Sequence, residues 1–196
     1  MRFLFLLFLS LCTSVLALKP HTASYTLLTS DFEVGKETRK LYQEKNVYYY
    51  TAHAKTVGLA SLIKDYEIQS KSMFVIDQFG LHSKHYKNFE RDGSKVKKDF
   101  NVYPKNRQVD SLNRLLAISH GLERNPEQNK FYLLVHDGRV AEKQVYQQVP
   151  SGSDNLIKVI SKERNLSAYF ARDRHYLPVL VHRDNFTYKL DSIQFD

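Results

Sequence analysis

Eight histidines and 21 aspartates and glutamates supply the side chains from which acid–base or metal chemistry would be built, and their spacing decides what they can do. His82 and His85 stand three apart in LHSKHY. Side chains alternate between the faces of a strand, so residues three apart point to opposite sides and do not share one ion. Asp173 with His175, and His182 with Asp184, are two apart and would share a face if extended, as a carboxylate orienting a general base requires. Each pair falls near a strand end, where solvated His and Asp are common, and the spacing fits that role equally. Asp31 and Glu33 also share a face, but in a polar, turn-like stretch where such spacing arises by chance.

Nucleophilic and phosphate-handling patterns are missing from the sequence. It contains no Gly-x-Ser-x-Gly, Gly-rich phosphate loop or His-Glu-x-x-His, and only seven glycines in all. Ser111 and Ser119 have no base at a useful spacing and suit capping and packing. The lone cysteine, Cys12, leaves no disulfide, Cys/His zinc site or thiol relay to build. The expectation is a non-enzyme without metal or cofactor.

Binding chemistry has more material. Thirteen tyrosines and twelve phenylalanines occur with no tryptophan. Tyr48, Tyr49 and Tyr50 are consecutive, and a strand places Tyr48 and Tyr50 on one face beside Ala52 and Ala54. Small residues next to rings leave space, so this face could line an apolar cavity edged by phenol hydroxyls; an ordinary filled aromatic core fits the same pattern. The candidate lining residues are Tyr48, Tyr50, Ala52, Leu112, Leu115 and Leu116. Val57 to Ile63, apolar with Gly58 inside it, reads as a rim loop or as a bulge with a buried anchor.

The elements that would hold these residues are mostly strands. Period-two alternation marks Val47 to Val57 and Phe186 to Asp191. Further candidates lie around Tyr25 and at 63–76, 81–89, 95–103, 131–136, 140–149, 156–163 and 167–171. Asp137-Gly138 predicts a type I′ hairpin turn, and Asp92-Gly93 a second tight turn. One segment differs: in DSLNRLLAISHGL, Leu112, Leu115, Leu116, Ile118 and Leu122 form a helical stripe, with Asn113, Arg114, His120 and Arg124 on the rest of the circumference. Asp110 or Ser111 can cap its start, and Gly121 sits where its end is expected. The predicted fold is mainly β: a single curved antiparallel sheet of about ten or more strands, a half-open barrel, with one principal amphipathic helix covering its concave face.

Residues 1–17, MRFLFLLFLSLCTSVLA, carry Arg2, a short apolar run and Val15-Leu16-Ala17, the pattern of a cleaved export signal. The run is shorter than the roughly twenty residues of a membrane helix. Bulky Leu11 before Cys12 argues for cleavage after Ala17 over a lipid anchor. Residues 18–196 are then one periplasmic domain without a transmembrane segment. The chain carries 29 Lys and Arg against 21 Asp and Glu. Such a balance in an exported protein suits solubility or an anionic envelope surface rather than nucleic acid.

The C-terminal YFARDRHYLPVLVHRDNFTYKLDSIQ, together with AKTVGLASLIKDYEIQSKSMF, QFGLHSKHY, VDSLNRLLAISHGL and FYLLVHDGRV in that order, resembles a family of uncharacterised bacterial periplasmic proteins defined as a domain of unknown function. The architecture implied is similar to the half-open barrels of the lipoprotein carriers LolA and LolB, a sheet wrapped around helical cover over an apolar cavity. That similarity implies a non-enzymatic carrier for a lipid or acyl chain. An envelope interaction protein with a filled core, engaging a protein partner or an anionic membrane surface, is the other expectation.

Overall fold

The computed structural model describes residues 17–196. Residues 1–16 of the expected export signal, Cys12 among them, lie outside the described residues. Thirteen strands follow in order: β1 (His21–Thr29), β2 (Phe32–Glu44), β3 (Val47–Thr56), β4 (Tyr66–Asp77), β5 (Gly80–Asp92), β6 (Lys95–Val102), β7 (Val109–Asp110), β8 (Lys130–His136), β9 (Ala141–Val149), β10 (Leu156–Ser161), β11 (Leu166–Ala171), β12 (Leu177–Arg183) and β13 (Phe186–Phe195). Helix α1 (Gly58–Ile63) joins β3 to β4, and α2 (Arg114–Arg124) lies between β7 and β8.

All thirteen strands belong to one sheet of order β6-β5-β4-β3-β2-β1-β13-β12-β11-β10-β9-β8-β7. Every pairing is antiparallel except β7 with β8. The sheet is open, with β6 and β7 at its edges, as the half-barrel expectation requires. Register shifts at Ser24/Tyr25, Leu27/Leu28, Met73/Phe74, Glu90/Arg91 and Tyr169/Phe170 supply the bends that curl it. The curl brings the chain before β7 back to β5, where Ser83 N donates to Gln108 O at 2.7 Å. Among the described residues no helix is long and apolar enough to cross a membrane.

Helix α2 runs inside the curl, and its leucines divide two cores. Leu115, Ile118 and Leu122 pack with Phe131, Tyr146, Val159 and Phe170, whereas Leu116 packs with Leu41, Tyr48, Tyr50 and Phe74. The expectation of a solvated polar face does not hold. Asn113, Arg114, Ser119 and His120 are buried as well, because the sheet wraps past the helix on both sides, while Arg124 in the last turn stays exposed. Gly121 does not end the helix, which continues to Arg124. A Cβ at Gly121 would lie 2.8 Å from Phe131 Cε1, so the missing side chain is what lets β8 approach the helix.

The Asp137-Gly138 turn also departs from expectation. Only Gly138 has positive φ, and the loop runs over 137–140, held by Asp137 Oδ1 accepting from Arg139 N at 2.8 Å and Val140 N at 2.9 Å. Asp92-Gly93 does make the β5–β6 turn. The β5 register shift skips Lys84, so His82 and His85 fall on the same outer face, contrary to the alternation argument. They still have separate partners: Asp77 at 3.8 Å for His82, and Asn101 with a stacked Tyr103 for His85.

Candidate ligand-binding cavity

The concave face has two halves of different chemistry. In β3 the inward residues are Tyr48, Tyr50, Ala52 and Ala54, all buried, as the alternation predicts. At one end Tyr48 stacks on Phe74, with ring centroids 5.3 Å apart, and Tyr50, Leu41 and Leu116 fill the space between. That end is packed. At the other end the inward positions turn polar: Glu37 and Arg39 on β2, Ser70 on β4, Asn88 and Glu90 on β5. There the sheet and the first turn of α2 leave a cavity of about 370 Å³.

The six predicted lining residues are therefore divided. Leu112 and Leu115 border the cavity. Tyr48, Tyr50 and Leu116 sit in the filled half. Ala52, also buried, borders an open groove of about 770 Å³ that runs over the outer face, among Thr38, Thr51, His53, Gln69 and Lys71. That outer groove is solvated sheet surface; the inner cavity is the concave place where polar groups converge.

Alternation through β2 puts Glu37, Arg39 and Leu41 on one face, so a charge pair enters the interior. Arg39 Nη2 donates to Glu37 Oε2 at 2.8 Å, and its guanidinium lies 4.9 Å from the centre of the Tyr25 ring. Burial opposes the charge on Arg39, but Glu37, Tyr50 and Tyr25 outweigh it and raise its pKa further above the arginine range. Opposite, Glu90 receives Lys98 Nζ at 2.9 Å, Tyr66 Oη at 2.8 Å and Asn88 Nδ2 at 3.2 Å. Burial would raise its pKa, yet these bonds hold it below the usual carboxylate value. The Tyr66 hydroxyl is pushed up to about 12, by burial first and then by its bond to Glu90.

The cavity floor is Arg114, at the start of α2, and Arg139, Arg164 and Arg183 stand above it on the β8–β9 turn, the β10–β11 turn and the end of β12. Of these four, the sequence reading singled out only Arg114, and put it off the apolar stripe of the helix. The available signal was the inward alternation of Glu37 and Arg39 with Leu41, and of Asn88 and Glu90 with Tyr86; nothing in the helix pattern distinguishes Arg114 from a surface arginine.

The paired His and Asp residues do not assemble. His175 lies 3.2 Å from Glu123, and His182 accepts or donates to Thr187 Oγ1 at 2.9 Å, each away from its expected Asp. Asp31 has positive φ in the β1–β2 turn. Among the described residues no group of three or more His, Cys, Asp or Glu is placed to hold a metal.

No family model matches the chain. No curated protein does either. Among solved structures, the chain is similar to the crystal structure of a β-barrel-like protein of domain of unknown function DUF1849 from Brucella abortus. The two share 10% identity with a TM-score of 0.52, covering 91% of this chain and 98% of that one. At that identity the likeness is one of fold.

Proposed function

We propose that this protein is an exported, non-enzymatic binding module of the bacterial envelope that takes a lipid-like amphiphile at the mouth of its half-barrel. The observation that carries this reading is the partial filling of the interior: one half is packed with rings and leucines, while the other holds a cavity of about 370 Å³ with charged walls. A purely apolar ligand does not suit those walls, because it would leave buried polar groups unpaired. An amphiphile does, if its polar head enters and its tail stays outside.

The rim fits the tail. In an antiparallel meander every second turn lies at one end, and the β1–β2, β3–β4, β5–β6, β8–β9, β10–β11 and β12–β13 connections share the end where the cavity opens. Phe32, Leu59, Leu62, Ile63, Val96, Val140 and Phe186 lie in or beside these connections, and Leu59, Leu62 and Ile63 are each more than 80% exposed on α1. A cluster of solvated apolar side chains favours contact with an acyl chain or a bilayer. The loop at Val57 to Ile63 thus takes its rim-loop reading here. The same reading takes residues 1–17 as an export signal to the periplasm and draws on the resemblance to lipoprotein carriers seen in the sequence.

Native mass spectrometry of the protein purified from its own envelope tests the reading. A bound amphiphile of defined mass, displaced by a fluorescent fatty-acyl probe, is the expected result. Ligand-free protein that also fails to bind the probe would defeat it. The filled-core alternative, an envelope interaction protein using its exterior, would then stand.

A further inference from the structure

Arg114 carries a charge that the described residues leave uncompensated. It is 5% exposed, its Nε has no hydrogen-bond partner, and it forms no ion pair with a carboxylate. Burial is the main influence lowering its pKa, and Arg183 and Arg164 add to it; the neutral phenols of Tyr146 and Tyr86 act the other way, and neither is a carboxylate. The Tyr146 hydroxyl donates to Gln144 Oε1 at 2.5 Å and turns its oxygen toward the guanidinium. An arginine keeps its proton even so, and a buried guanidinium without a counter-charge is strongly unfavourable.

Other acids in the wall are already committed. Glu37 holds Arg39 and Glu90 holds Lys98. Asp137 Oδ1 is taken by two backbone N–H groups. Asp110 itself is committed to the N–H groups of Leu112 and Asn113, just before α2, and to the hydroxyls of Ser72 and Ser83. Arg164 and Arg183 reach acids that do not line the cavity, Glu142 at 3.0 Å and Asp184 at 3.7 Å. The cations rise from buried Arg114 through half-buried Arg164 to exposed Arg183, a path along which an anion would meet positive charge from the rim to the floor.

We infer that Arg114, backed by Arg164 and Arg183, is a binding site for a phosphate-type oxyanion, and this rests on the ligand-binding reading above, for which it names the chemistry of the head group. Guanidinium groups match oxyanions with paired, charge-assisted hydrogen bonds, and the low-dielectric floor strengthens them. A phospholipid head and free phosphate share this chemistry.

Calorimetric titration of the delipidated, secreted protein separates the two, using inorganic phosphate, dihexanoyl phosphatidylglycerol and, as the uncharged comparison, dihexanoylglycerol. The phosphatidylglycerol should bind roughly tenfold to a hundredfold more tightly than dihexanoylglycerol. Arg114→Met should erase that preference while leaving the fold intact by thermal denaturation, and Lys143→Met, on the outer face, should not. If Arg114→Met fails to fold, the Arg164→Met/Arg183→Met double variant decides by the same preference. Phosphate binding without lipid binding would support the oxyanion site with free phosphate as its ligand and defeat the amphiphile. Equal binding of both lipids, or a preference that survives in a folded Arg114→Met or in the double variant, would overturn the site but not the cavity as a ligand place. No binding of any of the three would overturn both.

Discussion

Asp110 and Asn113 hold each other reciprocally: Asp110 Oδ1 accepts from Asn113 N at 3.0 Å, and Asn113 Oδ1 accepts from Asp110 N at 2.9 Å. The same carboxylate accepts from Leu112 N at 2.9 Å, Ser72 Oγ at 2.6 Å and Ser83 Oγ at 2.7 Å, and Asn113 Nδ2 donates to both serines at 2.8 Å. This closed network joins the start of α2 to β4 and β5. It fixes the helix inside the sheet, and with it the depth of Arg114.

Asp110→Ala should therefore cost about 3 kcal/mol, since it strips a helix-terminal acceptor and leaves two serine hydroxyls without theirs. Asn113→Ala should be costly too, against the tolerance its place on the helical wheel implies. Urea denaturation of both variants, compared with an exposed control such as Lys143→Ala, checks this; equal mildness in all three would show that the network does not anchor the helix.

Leu116 is 1% exposed among Leu41, Tyr48 and Phe74. Its replacement by Ala should cost about 2–5 kcal/mol, whereas the same change at half-buried Leu112 should cost less. A denaturation series measures both, and the reverse order would contradict the packed half described here.

Gly121→Ala sets helix propensity against space. Alanine is favoured over glycine by about 1 kcal/mol inside a helix. The new Cβ would nevertheless meet the Phe131 ring at 2.8 Å, so net destabilisation of about 1–2 kcal/mol is expected. A double-mutant cycle with Phe131→Leu should recover most of it.

His21 is buried, with its Nδ1 2.8 Å from Lys19 O and its ring against Phe195. Burial first, with Arg39 and His175 adding to it, lowers its pKa below 6.5. In the window below 6.5 the unfolded chain takes up a proton that the folded one refuses, so stability is fully present above 6.5 and declines as pH falls toward the folded value. His21→Phe should flatten that part of the stability–pH curve. An unchanged slope would assign it to another group.

Processing is tested by N-terminal sequencing of the exported protein, which should begin at Leu18. A lipid on Cys12 would replace the free domain with an anchored one.

Much of the architecture was legible because burial follows backbone period. Tyr48, Tyr50, Ala52 and Ala54 alternate with polar neighbours, the leucines of α2 recur at helical spacing, and these patterns by themselves determined a curved antiparallel sheet with one amphipathic helix over its concave face; that the helix is enclosed on its polar side too was decided by the tertiary structure. β2 escaped because its inward face includes Glu37 and Arg39, so a half-buried strand reads as a polar connection. The interior's chemistry was decided by the tertiary structure. The depth of Arg114 depends on the sheet closing past both flanks of α2, and the pairing of Arg39 with Glu37 and of Lys98 with Glu90 depends on strand register. The placement of His82 and His85 on one face depends on a single skipped residue. Periodicity reports which face of an element turns inward. Whether the space it faces is filled with rings or left open among charges is settled only when the strands curl together.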